Sequence, residues 1–142
     1  MSDRCLSKNL KKIGPYLNEW TEMAGEKISE DEIENFISKH KLAMIDFSAT
    51  WCAPCRFLDR VVEEIIPEYT EKGVGFAEID VDENRKIAME LGVTNIPSIF
   101  FFKDGALCNF ADNEGRQHDR ILGALNKKQL TNLLDMLLED SS

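Results

Sequence analysis

The sequence predicts an α/β domain built around a mixed β-sheet. Short apolar runs typical of buried strands alternate with helical patterns in the early part of the chain, and a strand hairpin followed by a helix ends it. The length of 142 residues suits one domain with a short appendage. Hydrophobic residues make up 43% of the chain, which is enough for a core and makes intrinsic disorder a poor interpretation.

The N-terminal segment, residues 1–27, predicts a helical extension that precedes a domain over residues 28–142. Its apolar residues recur at three-and-four spacing, and Gly14-Pro15 interrupts the pattern. Such a stripe either packs on the domain or docks a partner. We expect it to pack on the domain.

The first part of the domain predicts a helix, a strand, a long helix and a second strand. A capping box at Ser29 begins the first helix, and residues 42–49 form a nearly unbroken apolar run, as in a strand covered on both faces. Residues 52–69 carry apolar side chains at helical spacing, and Pro67 is expected to end or bend that helix. Residues 73–82 predict the second strand.

The second part predicts four further elements and one loop. They are a short helix over 83–93 stopped by Gly92, strands over 96–102 and 106–110 joined by a KDG turn, a polar loop over 110–120, and an amphipathic helix over 126–140. Asn126 and Gln129 are expected to cap that last helix.

Charge and composition exclude several classes of function. The chain has 17 basic and 26 acidic side chains, a formal charge of -9, which argues against a nucleic-acid partner. No apolar run approaches the roughly 18 residues of a membrane span. The first residues carry no pattern of a secretion signal, so we expect a cytoplasmic protein that does not act at a membrane.

A CxxC pair is the main indication of a chemical function in the sequence. Cys52 and Cys55 follow a predicted buried strand and begin a helix, whose N-terminal N–H groups and dipole favour a thiolate at Cys52. One helical turn brings Cys55 within reach, so Cys52 is expected to attack a substrate disulfide and Cys55 to resolve the mixed disulfide. Half of a zinc site is the alternative, but His40 and His118 complete no ligand set, and we expect no metal.

Two more residues stand out by their context. Asp46 interrupts an apolar run, so burial is expected to raise the pKa of its carboxyl and suit it to accept a proton from Cys55. The alternative is that the strand frays and Asp46 faces solvent. Pro97 opens an apolar strand, which indicates an edge, a bulge or a cis peptide bond.

Four blocks of sequence together resemble the thioredoxin family. They are IDFSATWCAPC, FAEIDVDEN, GVTNIPSIFFFKDG and ILGALNKKQL, in this order over about residues 28–139. The resemblance implies a thioredoxin fold, with a central mixed sheet of four or five strands flanked by helices. It also implies a redox-active disulfide between Cys52 and Cys55, with Asp46 as the buried acid and Pro97 as a cis-proline.

The resemblance further implies a flat apolar face around Cys52 on which substrates bind, Ile96 offering its backbone. Its residues are Trp51, Ala53, Pro54, Gly92, Ile96, Pro97 and Gly123. The implied activity is reduction of protein disulfides by a monomer without cofactor, with a thioredoxin reductase as electron donor.

Two alternatives and two departures from the family pattern accompany that expectation. Ala53 replaces the usual glycine between the cysteines, which leaves a more oxidising oxidase or isomerase as an alternative, and a redox-silent binding module is the other. Glu78 stands where bacterial members often have lysine, and a carboxylate there is expected to raise the pKa of Asp46 further.

Overall fold

The computed structural model describes residues 25–139 as an α/β fold. Its strands are β1 (Glu26–Lys27), β2 (Leu42–Ser48), β3 (Val74–Asp80), β4 (Ser98–Lys103), β5 (Ala106–Leu107), β6 (Phe110–Ala111), β7 (Gln117–His118) and β8 (Ile121–Leu122). Its helices are α1 (Ile33–Lys39), α2 (Ala53–Thr70), α3 (Arg85–Glu90) and α4 (Lys127–Glu139), and a 3₁₀ turn (Glu30–Glu32) leads into α1.

The main sheet is mixed and has the order β1-β3-β2-β4-β5, with β8 also paired to β4. Strands β1, β3 and β2 are parallel, whereas β4 runs antiparallel to β2. Strands β5 and β8 pair with opposite ends of β4. The predicted mixed sheet is therefore confirmed, with six strands rather than four or five because two separate short strands, β5 and β8, pair along β4.

The core lies on both faces of this sheet. Strand β2 is buried along its whole length, and alternate side chains point to opposite faces. Leu42 and Met44 pack in the cluster that includes α2 and α4, while Ala43 and Ile45 pack in the cluster that includes α1. The prediction of a strand covered on both faces is confirmed.

The first strand escaped the sequence analysis. Glu26 and Lys27 pair with Ala77 and Glu78 of β3, although both side chains are exposed and show no strand pattern. The sheet therefore includes two residues that the sequence assigned to the N-terminal segment. Residues 1–24, with the predicted helical stripe and Cys5, lie outside the described residues.

Helix α2 extends beyond Pro67, the residue expected to end or bend it. Pro67 lies inside the helix, which continues to Thr70, so of these two expectations an end at Pro67 is wrong. Ile65 and Tyr69 on either side of Pro67 are buried in the core, and their packing stabilises the last turn.

The polar segment after β5 is also more ordered than predicted. Residues 110–120, expected to be a loop, contain the antiparallel pair β6 and β7, closed by a turn in which Asp112 binds Arg116 and His118. The predicted strand over 106–110 correspondingly shortens to β5. This hairpin lies in the chain between β5 and β8, which both pair with β4.

Both predicted caps are present. Ser29 N donates to Glu32 Oε1 at 2.8 Å, and Asn126 and Gln129 exchange reciprocal bonds of 2.9 and 2.8 Å. Within residues 25–139, no helix combines the length and the apolar character that crossing a bilayer requires.

Candidate active site

The cysteine pair lies where β2 gives way to α2. Cys52 is the N-cap of α2, and Cys55 lies in its first turn. A disulfide bond joins the two sulfurs. The backbone N–H of Cys55 also points at Cys52 Sγ, 3.2 Å away. Cys52 keeps 4% of its surface exposed and Cys55 none, so Cys52 is the outer sulfur.

The local sequence explains why the helix begins here. Pro54 occupies the first turn, where its missing N–H leaves no intrahelical bond unmade. The first turn of α2 contains no acidic residue. The positive end of the helix dipole and the Cys55 N–H therefore act on the Cys52 sulfur without an opposing charge from that turn, and they favour its thiolate.

The segment before β4 borders the cysteine pair. The Ile96–Pro97 peptide bond is cis, as the resemblance implies. The carbonyl oxygen of Ile96 lies 3.9 Å from Cys52 Sγ. Gly123 donates its backbone N–H to the Pro97 carbonyl at 2.8 Å. Ile96 thus lies beside Cys52, and Gly123, from a distant part of the chain, is hydrogen-bonded to the neighbouring Pro97.

The other residues expected on this face are exposed. Trp51 is 69% exposed, and its Nε1 donates to Asp82 Oδ2 at 2.9 Å. Ala53 and Pro54 are exposed at the start of α2. Gly92 ends α3 with a φ of 66°, and its carbonyl accepts a bond from Arg120. The contacts of Gly92 therefore tie it to the segment after β7.

Asp46 is buried, with 5% of its surface exposed. It belongs to the face of β2 that also carries Met44, which packs in the α2 cluster. Burial raises the pKa of Asp46 well above its usual value, and the neighbouring carboxylates of Glu78 and Asp59 raise it further, against the opposing effect of Arg56. The expected desolvation and the expected effect of Glu78 are both present.

Two residues that act on Asp46, namely Arg56 and Asp59, were not identified from the sequence. Arg56 donates to Ser48 Oγ at 2.9 Å and to Glu78 Oε2 at 3.3 Å, and its Nε lies 3.0 Å from Asp59 Oδ2 in an ion pair without hydrogen-bond geometry. For Asp59 the sequence did contain an indication, because Asp59 follows Cys55 by one helical turn and therefore lies on the same face of α2.

The fold and the site define a class of protein: an oxidoreductase that exchanges dithiol and disulfide at a CxxC pair on a helix N-terminus. Comparisons with known proteins agree. A family profile described as Thioredoxin matches residues 25–134. Thioredoxin of Malassezia sympodialis is 40% identical over 77 residues, 54% of this chain and 73% of that protein. Thioredoxin of Acidithiobacillus ferridurans is 34% identical over 112 residues, 78% of this chain and 94% of that protein.

Solved structures show the same likeness. Oxidised mitochondrial thioredoxin 3 from Saccharomyces cerevisiae superposes with a TM-score of 0.62 at 30% identity, covering 84% of this chain and 98% of the other. The chain belongs to the thioredoxin family. It is a thiol–disulfide oxidoreductase, and proteins of this family act on protein disulfides with a reductase as partner.

Proposed function

We propose that this protein is a monomeric, cytoplasmic reductant of protein disulfides in which Cys52 attacks, Cys55 resolves and Asp46 accepts a proton. The observation that carries the division of roles is the position of the two sulfurs. Cys52 is the outer sulfur and receives the N–H of Cys55 at the helix N-terminus, whereas Cys55 is fully buried. The attacking group must meet the substrate, and the resolving group needs to reach only Cys52.

The reaction then proceeds in two exchanges. The Cys52 thiolate attacks one sulfur of the substrate disulfide, and the other substrate sulfur leaves as a thiolate. Cys55 next loses its S–H proton to Asp46 and attacks Cys52 Sγ, which releases the second substrate thiolate and closes the Cys52–Cys55 disulfide. Two electrons pass from the cysteine pair to the substrate, and a thioredoxin reductase returns them.

The substrate peptide is expected to lie beside Ile96. The Ile96 carbonyl, 3.9 Å from Cys52 Sγ, is positioned to accept a backbone N–H from an extended peptide whose disulfide approaches Cys52. The surrounding substrate face supplies apolar contact through residues Trp51, Ala53, Pro54, Gly92 and Gly123, whereas Pro97 is buried.

Insulin reduction with dithiothreitol or a thioredoxin reductase tests this function. Cys52→Ser is expected to reduce turnover to the uncatalysed background, because no sulfur remains to attack. Cys55→Ser is expected to retain the attack and to accumulate a mixed disulfide through Cys52. Cys5→Ser, which removes a thiol outside the pair, is the matched control. A wild-type protein without activity under either electron supply, or turnover that survives Cys52→Ser, would contradict the proposal.

Ala53 makes the redox poise a separate question. A reductant is expected to have a reduction potential below that of the cytosolic glutathione pool, which is roughly -220 to -260 mV. Equilibration with glutathione buffers measures this potential, and Ala53→Gly shows the effect of the residue between the cysteines. A potential above that range in the wild type would favour the oxidase or isomerase.

A further inference from the structure

A cluster of three carboxyl groups lies on the α2 side of β2 and β3, with Asp46 and Glu78 buried and Asp59 partly exposed. Oxygens of Asp46, Asp59 and Glu78 all lie within 4.8 Å of one another. The charges facing them are Arg56 on α2, which contacts both Glu78 and Asp59, and Lys27 on β1, whose Nζ is 3.8 Å from Glu78 Oε1. Three acids thus face one partly exposed guanidinium and one exposed ammonium.

This crowding favours the protonated form of Asp46 and Asp59. Burial and the charge of Glu78 raise the pKa of Asp59 to about 6, with a smaller contribution from Glu63 on α2, and the pKa of Asp46 is also raised. A protonated Asp46 must pass on its proton before it can accept another.

The cluster has a route to solvent on the side of Glu78, in addition to the partly exposed Asp59. A cavity of about 460 Å³ opens beside the end of β2, between residues that include Ser48, Thr50 and Asp80. Of the three carboxyl groups, Glu78 is the one that lines this cavity, together with Arg56. Asp46 Oδ1 has no hydrogen-bond partner among residues 25–139, so it is open to a proton exchange with a neighbouring carboxyl.

We propose that Glu78, positioned by Arg56, relays the proton between Asp46 and the solvent of this cavity each time the mixed disulfide is resolved. The proposal rests on the proposed role of Asp46. The S–H bond of Cys55 breaks and its proton moves to the Asp46 carboxylate, while the Cys55 sulfur bonds to Cys52 Sγ and the substrate thiolate leaves. The Asp46 proton then moves to the Glu78 carboxylate and from there to water. The relay involves no electron transfer.

The contacts of Arg56 explain how the Glu78 carboxylate can act as the proton relay. Its guanidinium bonds to Glu78 and also to Ser48 at the end of β2, so it holds the Glu78 carboxylate between Asp46 and the cavity. It also offsets part of the negative charge that Glu78 imposes on Asp46.

Stopped-flow mixing of the reduced protein with Ellman's reagent measures attack and resolution separately. Attack by Cys52 releases the first thionitrobenzoate, and resolution by Cys55 releases the second. The Cys55→Ser variant cannot resolve the mixed disulfide, so the phases that it retains do not involve resolution. We compare the pH profiles of Glu78→Gln and Glu83→Gln. Glu83 is an exposed residue that lines the same cavity and contributes the same charge, so it serves as the matched control.

Glu78→Gln is expected to lower the plateau rate of resolution by about 10-fold or more and to leave the rate of attack unchanged. The loss is expected to be smaller than the roughly 10²- to 10⁴-fold typical of a group that exchanges a proton with the reactants, because Glu78 acts through Asp46. The pH midpoint of resolution is expected to move lower, because removing this negative charge lowers the pKa of Asp46. Glu83→Gln should change both phases less than about 2-fold, and Glu78→Asp should recover most of the rate.

Three outcomes would overturn the relay. One is a shifted pH midpoint of resolution with an unchanged plateau rate, which would show that Glu78 acts on Asp46 through its charge only and transfers no proton. A second is an equal slowing of attack and resolution, which would indicate a structural role. The third is a loss no larger in Glu78→Gln than in Glu83→Gln. Asp46→Asn separates this from the proposed function: if it leaves resolution unchanged, the role of Asp46 fails, whatever Glu78 does.

Discussion

At the scale of the residue, Asp46 combines a cost to the stability of the fold with its proposed role as a proton acceptor. A carboxyl in a strand of buried apolar residues loses the hydration that stabilises its charged form. Glu78 and Asp59 add like charge, and Arg56 offsets part of it. The folded protein therefore favours the protonated acid, whereas the unfolded chain ionises it at the ordinary pKa of 3.8.

This difference predicts a pH-dependent gain from Asp46→Asn. Because the folded pKa is raised, the contribution of Asp46 to stability is complete below about pH 4 and is lost as pH rises through the folded value. The substitution should therefore raise the free energy of unfolding by about 1–3 kcal/mol at slightly alkaline pH and change it little at acid pH. Urea denaturation at both pH values measures this.

Asp104→Asn is the control for that measurement, since Asp104 is an exposed acid in the turn between β4 and β5. It should change stability by less than about 0.5 kcal/mol at either pH. An Asp46→Asn variant that is destabilised at alkaline pH would show that the ionised carboxylate is not costly in the folded state.

At the scale of elements, the contact between α1 and β3 depends on a residue without a side chain. Gly75 lies in β3, and the ring of His40, which follows α1, occupies the space that a Cβ atom at position 75 would fill. The same ring packs against Phe36 of α1 at a centroid distance of 4.5 Å. His40 therefore fills the gap between helix and sheet, and burial lowers its pKa.

Gly75→Ala is expected to destabilise the protein by about 1–3 kcal/mol, because the added methyl group overlaps the His40 ring in a packed layer. Thermal or urea unfolding measures the loss. His40→Ala supplies the matched background, since it removes the obstructing ring. The combined variant should lose less than the sum of the two single losses, and strictly additive losses would show that the two residues do not compete for space.

At the scale of the whole molecule, net charge affects the rate at which the protein and its substrates associate. The chain carries -9, and the field of such a charge attracts basic partners and repels acidic ones over about one Debye length. Surface charge of this kind changes association rates more than it changes the chemistry after docking. Substrate preference is thus expected to depend on ionic strength.

Two disulfide-linked peptides of equal length, one basic and one uncharged, test this dependence. Between about 0.02 M and about 0.3 M salt, kcat/KM for the basic peptide should fall roughly 3- to 10-fold, while the value for the uncharged peptide stays within about 2-fold. Equal salt dependence of the two peptides would show that net charge does not steer substrates to this protein.

Much of this molecule could be read from local sequence pattern. The apolar run of β2, the helical spacing of α2, the Asn126–Gln129 cap and the cysteine pair between strand and helix depend on residues close together in the chain. Period-two and period-3.6 patterns and capping side chains report such local structure directly. The same locality explains why the pKa of Asp46 was correctly expected to rise.

Features that depend on distant contacts were decided only in three dimensions. Strand β1 exists because β3 offers it hydrogen bonds, and Pro67 remains helical because its neighbours are buried in the core. The carboxyl cluster is likewise assembled from β2, α2 and β3, so no spacing in the chain brings Asp59 to Glu78. A local pattern records what a segment favours, but pairing, packing and mutual charge depend on which segments the fold brings together.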